Sequence, residues 1–106
     1  MIQSSKGKQT TNKYYLLAST NFEKKDFKLA KLNLLKYLNK NQDYQALNLL
    51  GICYLNLKEY IDAANVFKEL ILNKIISDSI FNNYGIALKN LKEFNTAKYY
   101  FKQSIK

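Results

Sequence analysis

Apolar residues return every three or four positions in six stretches of this chain, with short polar breaks between them. The stretches cover about 12–22, 26–38, 43–55, 59–72, 78–88 and 93–105, and that period predicts six amphipathic helices. The breaks carry the chemistry of helix ends. Asp43 and either Ser77 or Asp78 can cap the helices that follow them, and Asp26, Glu59 and Glu93 open the others, where an acid suits the positive end of the helix dipole. Asn39, Asn56, Asn73 and Asn90 stand where helices should end, and asparagine tolerates the left-handed backbone of such an exit.

The helices come in pairs because the sequence repeats. Asn56-Leu57-Lys58-Glu59-Tyr60 matches Asn90-Leu91-Lys92-Glu93-Phe94 at a step of 34, and the same step carries Gly51 to Gly85, Ala63 to Ala97 and Phe67 to Phe101. A step of 33 in the other direction gives a weaker third copy: Leu50 maps to Leu17, Gly51 to Ala18, Tyr60 to Phe27, Ala63 to Ala30 and Phe67 to Leu34. Small residues at Gly51, Gly85, Ala63 and Ala97 let the two helices of a pair approach closely. Tyr60, Phe67, Phe94 and Phe101 are then expected to fill the space between layers.

These positions resemble the tetratricopeptide repeat, whose pattern sets a large residue, a leucine, a small residue and an aromatic on one helix, then an alanine and an aromatic on the next. The second copy reads Leu47, Leu50, Gly51, Tyr54, Ala63 and Phe67; the third reads Phe81, Tyr84, Gly85, Leu88, Ala97 and Phe101. The first reads Tyr14, Leu17, Ala18, Asn21, Ala30 and Leu34. The likeness spans about 11–106, without the family's tryptophan or closing proline, and with Lys25, Lys58 and Lys92 where a turn glycine is common. It implies an all-α fold, a right-handed α-α superhelix (solenoid) of three antiparallel helix pairs, with repeats of about 11–43, 44–77 and 78–106. Residues 1–10 form a polar, basic tail, expected to be flexible.

In such a stack the first helices line a concave groove. The positions left there are Tyr15, Ser19, Phe22, Gln45, Asn48, Ile52, Leu55, Ser79, Asn82, Asn83, Ile86 and Lys89, a nearly neutral, amide-rich stripe. Asparagine offers a donor and an acceptor to a peptide backbone, and the apolar members offer contacts for its side chains. The same asparagines also suit plain solvated positions. Compared with the family's receptors for chaperone tails, the carboxylate clamp is replaced by Tyr15, Ser19, Leu49, Ser79 and Asn83, so capture of a chain terminus in that manner is not expected.

Charge and composition alter this picture little. The net charge is +9, and all 17 basic residues are lysine. Nucleic-acid readers lean on the bidentate arginine fork, which is missing, so nucleic acid and membrane are not the expected partners. With no histidine, one cysteine and scattered carboxylates, no catalytic, cofactor or metal site is expected. Cys53 reads as a small buried thiol, and a lone cysteine with no signal-like or membrane-spanning apolar run points to the cytoplasm.

The function expected is therefore a protein or peptide partner bound in the groove, without catalysis. Two other classes stay open: a basic adaptor for RNA or an acidic membrane surface, and a structural segment of a longer array. Tyr99, Tyr100 and Ile105 leave apolar surface on the last helix, to be covered by a partner, by a second copy of the chain through self-association, or by further repeats of a longer array.

Overall fold

The computed structural model describes residues 2–104, with side chains for 13–104. Within them lie six helices and no strand: α1 (Ile2–Glu23), α2 (Phe27–Leu38), α3 (Tyr44–Asn56), α4 (Tyr60–Leu72), α5 (Asp78–Asn90) and α6 (Phe94–Ser104). Each helix packs on the next in sequence, and α3 also touches α5. The molecule measures 51 × 27 × 20 Å with a radius of gyration of 15.0 Å, against about 13 Å for a rounder domain of this length. It is a layered, elongated all-α protein.

The turns explain the pairing. After α1, α3 and α5 the chain reverses through one device. The N–H groups of Lys25, Lys58 and Lys92 donate to carbonyls three residues back, and those of Asp26, Glu59 and Glu93 to carbonyls five back, at 2.8–3.0 Å. This double closure requires a left-handed residue at its centre, and the lysines supply it with φ of 62°, 62° and 67°. Lys74 does the same after α4 at 63°. The asparagines expected to take this conformation instead keep negative φ at Asn39 and Asn73. Asn56, Asn73 and Asn90 turn their side-chain amides back onto the carbonyls of Ile52, Glu69 and Ile86 at 2.8–2.9 Å. Each adds a second donor to a carbonyl of the last helical turn, as at Glu69, which already accepts the Asn73 backbone N–H at 3.1 Å.

The helix starts follow the sequence more closely. Asp26, Asp43 and Ser77 accept from the backbone N–H of Leu29, Ala46 and Ile80 at 3.1–3.2 Å. Glu59 makes no capping bond, because both its oxygens are held by Lys31 Nζ at 3.0 and 3.2 Å. That pair bridges α2 to the turn of the second hairpin and is the one salt bridge among the described residues. The first helix begins at Ile2, earlier than the apolar period indicated, and continues through the segment read as a tail. No proline interrupts residues 2–12, so nothing there removes a backbone donor; the side chains of that stretch lie outside the described residues.

The core runs along the stack and includes Ala18, Ala30, Leu34, Leu50, Cys53, Ala63, Phe67, Leu70, Tyr84 and Ala97. Two positions fix how closely the helices meet. A Cβ on Gly51 would lie 2.7 Å from Phe67 Cζ, and one on Gly85 would lie 2.6 Å from Phe101 Cε1. At the corresponding places in the first hairpin stand Ala18 and Leu34, both buried, a methyl added where the aromatic is replaced by a smaller residue. Asn21 takes the place of Tyr54 and Leu88 and receives a hydrogen bond from Asn33 Nδ2 at 2.8 Å, which ties α1 to α2. In the third hairpin Tyr100 packs on Phe81, Tyr84 and Tyr99, with ring centroids 4.7–5.8 Å away.

Two positions depart from the repeat-based expectation. Leu17 is 44% exposed although Leu50, its counterpart, is buried, since among the described residues no helix precedes α1 to cover it. Phe94 is 61% exposed, while Tyr60 in the preceding copy is half-buried; no described layer follows α6. Tyr54 and Phe101 are half-buried for the same mixture of inner and outer packing. Tyr99 is exposed and Tyr100 half-buried, and Ile105 lies outside the described residues.

Candidate functional site

The stripe predicted on the first helices is the candidate binding surface, and its three segments differ. On α1, Tyr15 and Phe22 are half-buried and already engaged: Tyr15 lies 5.3 Å from the Tyr37 ring, and Phe22 meets Phe27 edge-on at 5.5 Å. They hold the first hairpin together, and Ser19 between them is half-buried. On α3, Gln45 is exposed, while Asn48, Ile52 and Leu55 are half-buried, the last two packed against the core edge. On α5, Asn83 and Ile86 are half-buried and Ser79, Asn82 and Lys89 are exposed.

Asn48 is the exceptional member. Its Oδ1 is buried and has no hydrogen-bond partner, alone in this respect among the described side-chain atoms. A buried acceptor left without a donor costs about 1–3 kcal/mol. The residue sits on α3, which touches α5, between an exposed Gln45 and a half-exposed Ile52.

Asn82 and Lys89 take part in a second feature. Together with α6 they border an open, mainly apolar hollow of about 470 Å³ whose floor is Ala97 and Phe101 and whose edge is Phe94. Sequence reasoning placed these residues in two separate groups, groove and packing; the structure brings them to one place. The signal was present, since Asn82, Lys89 and Phe101 hold the same phase as Asn48, Leu55 and Phe67.

A further hollow of about 450 Å³ lies under the α2–α3 connection, bordered by Leu38, Tyr44, Leu47 and Glu69. Several polar groups around it are already partnered. Gln42 Nε2 donates to Tyr44 Oη, which donates to Asn73 Oδ1 at 3.1 Å, and Tyr37 Oη donates to Asp43 Oδ2 at 2.8 Å. Burial and the neighbouring Asp43 carboxylate raise the Tyr37 pKa above its usual 10.0. These bonds fasten the connection and were not foreseen, because the residues join different helices and share no spacing.

The reactive groups are few. Cys53 is a buried free thiol, its pKa pushed by burial from 9.0 to about 11, with Lys31 opposing part of the rise. Such a thiol stays protonated and unreactive at neutral pH. Among the described residues no three histidine, cysteine or acidic side chains lie close enough to share a metal ion, and no helix is long and apolar enough to cross a membrane. Compared with known protein families and with curated proteins, the chain matches no family model and no curated sequence.

Proposed function

We propose that this chain is a tetratricopeptide-type interaction scaffold of the cytoplasm, three helix pairs wound as a right-handed superhelix. It binds an extended peptide along the faces of α1, α3 and α5, without catalysis. The observation that carries this reading is Asn48, whose amide oxygen is buried without a partner on α3. A stack selected for stability alone would place an aliphatic residue there. An amide held at a cost is a recognition group, ready to swing toward the N–H of a bound backbone. Ile52 and Leu55 beside it give half-open apolar contact, and Gln45, Asn82 and Asn83 extend the amide row. The inert Cys53 suits a reducing compartment.

The test is a display selection of random peptides on the intact chain, followed by isotope-edited NMR with the selected sequences. Amide and side-chain shifts should concentrate on Gln45, Asn48, Ile52 and Asn83, and Asn48→Ala should weaken binding by about tenfold while leaving the fold intact. Affinity should change little between low and moderate salt, since the stripe is nearly neutral. Shifts confined to the lysines of α2, α4 and α6, with affinity collapsing in salt, would replace this reading by the basic-adaptor one.

A further inference from the structure

The hollow between α5 and α6 has an internal precedent. Each lining position has a counterpart 34 residues earlier: Ala97 corresponds to Ala63, Phe101 to Phe67, Lys98 to Ala64, Ser104 to Leu70 and Lys89 to Leu55. At that earlier place Ala63, Ala64, Phe67 and Leu70 are all buried, and α4 packs on α5. The molecule thus already shows what covers such a face: the helix α5, packed on α4.

The rim is different, and the difference is chemical. Apolar Leu55, Ala64 and Leu70 become Lys89, Lys98 and Ser104, while Lys102, one turn beyond Lys98 on the same side of α6, keeps the charge of its counterpart Lys68. Lys89, Lys98 and Lys102 are exposed, and none pairs with an acid among the described residues. A helix as apolar as the inner face of α5 would strand these ammonium groups at a closed interface, which is costly. One carrying carboxylates along its edges would meet them with opposite charge. A second copy of this chain is a poor match, because each copy bears a net charge of +9.

We propose that the α5–α6 hollow docks an amphipathic helix from another protein, apolar on one face and acidic along its flanks. Its apolar residues cover Phe101 and the apolar surface beside it in the way α5 covers the face of α4. Its carboxylates meet Lys89, Lys98 and Lys102. This surface shares Asn82 and Lys89 with the α5 end of the proposed groove, but it lies apart from the α3 segment and does not depend on Asn48.

The experiment uses the full chain and designed, fluorescein-labelled helical peptides of about the length of α5, which has 13 residues. One has leucine at helical spacing with glutamate flanks, a second has the same leucines with lysine flanks, and a third is a scrambled glutamate version. Anisotropy titration should give the glutamate-flanked helix at least about tenfold tighter binding than either control. Lys98→Glu with Lys102→Glu, both at exposed positions, should abolish that preference and transfer it to the lysine-flanked helix. Lys28→Glu with Lys40→Glu, an equal change of charge on the far hairpin, should change binding less than about twofold.

The proposal falls if the scrambled peptide binds as well, or if the two double variants lose affinity equally, which is diffuse attraction. It also falls if Asn48→Ala alone removes binding of the helix, which moves the site to α3. A stable dimer of the unliganded chain by sedimentation equilibrium, broken by the Lys98/Lys102 reversals, assigns the hollow to a second copy and overturns it as well.

Discussion

At the scale of the residue, two glycines and four lysines do unusual jobs. An alanine normally stabilises a helix over a glycine by about 1 kcal/mol. At Gly51 the sign should reverse, because the new methyl would lie 2.7 Å from Phe67 Cζ and 2.9 Å from Val66 Cγ1, in a core where Phe67 is fully enclosed. Gly51→Ala should cost about 1–3 kcal/mol in urea unfolding. Gly85→Ala presses on Phe101 equally closely, but that ring borders an open hollow into which it can shift. Its cost should be distinctly smaller; equal penalties would refute the enclosed-versus-open distinction. The left-handed lysines store the opposite opportunity. At φ of 62° and 67°, Lys58 and Lys92 hold a conformation that costs a side-chain-bearing residue about 1 kcal/mol. Lys58→Gly and Lys92→Gly should each leave the urea midpoint unchanged or raise it, whereas Lys58→Val should lower it by more than either glycine changes it. The resemblance to the tetratricopeptide repeat put these lysines where a turn glycine is common. It did not show that they adopt glycine's conformation, since asparagines stood nearby as better candidates.

At the scale of the element, the hairpins differ in how much they bury. Of the described residues of α1 only Ala18 is buried, while α3, α4 and α5 each contribute several buried side chains. The first hairpin leans instead on Tyr15–Tyr37, Phe22–Phe27 and the Asn33–Asn21 bond. Opening free energy follows buried apolar contact, so amide exchange should be fastest in α1 and in α6, where only Ala97 is buried among the described side chains, and slowest in α3, α4 and α5. Asn33→Ala, which strands the Asn21 oxygen, should speed exchange in α1 and α2 while leaving α4 and α5 unchanged. If α1 proves as protected as α4, the hairpins form one cooperative unit and this ranking fails. The same inequality marks where sequence reasoning stopped. The apolar period of the sequence located all six helices, because spacing encodes which residues share a face, and the 34-residue step matched the positions that meet as Gly51–Phe67 and Gly85–Phe101. It misjudged Leu17 and Phe94, whose burial depends on a neighbouring layer and not on their own helix. It also missed Lys31–Glu59 and Tyr37–Asp43, since polar bonds between elements obey no period.

At the scale of the whole molecule, the titration of the fold follows from a core that encloses weak acids and few strong ones. Burial raises Cys53 from 9.0 to about 11 and raises Tyr54 and Tyr84 above 10.0; Tyr37 rises for the same reason, aided by Asp43. In every case the folded state holds the proton more tightly than the unfolded chain. Below pH 9 both states are protonated at these groups, and their contribution to stability is complete. As pH climbs past 9 the unfolded chain releases its cysteine proton first and then its tyrosine protons, so it binds fewer protons than the native state and stability falls. The loss continues until pH passes the folded values, near 11 for Cys53. Urea midpoints should therefore hold level from pH 7 to about 9 and decline steadily by pH 10.5. Cys53 alone should contribute at most about 2–3 kcal/mol to the decline. Cys53→Ala separates the groups: it should lower stability at pH 7 by leaving a small void, yet delay the onset of the decline to the tyrosine range near pH 10. A wild-type midpoint that is unchanged at pH 10.5 would mean these side chains are open to water in solution, and that the layers are packed less closely than Gly51 against Phe67 requires. A decline in wild type that Cys53→Ala leaves unaltered would assign it to the tyrosines, and so to the hairpin interiors around Tyr37, Tyr54 and Tyr84 instead of the α3 core.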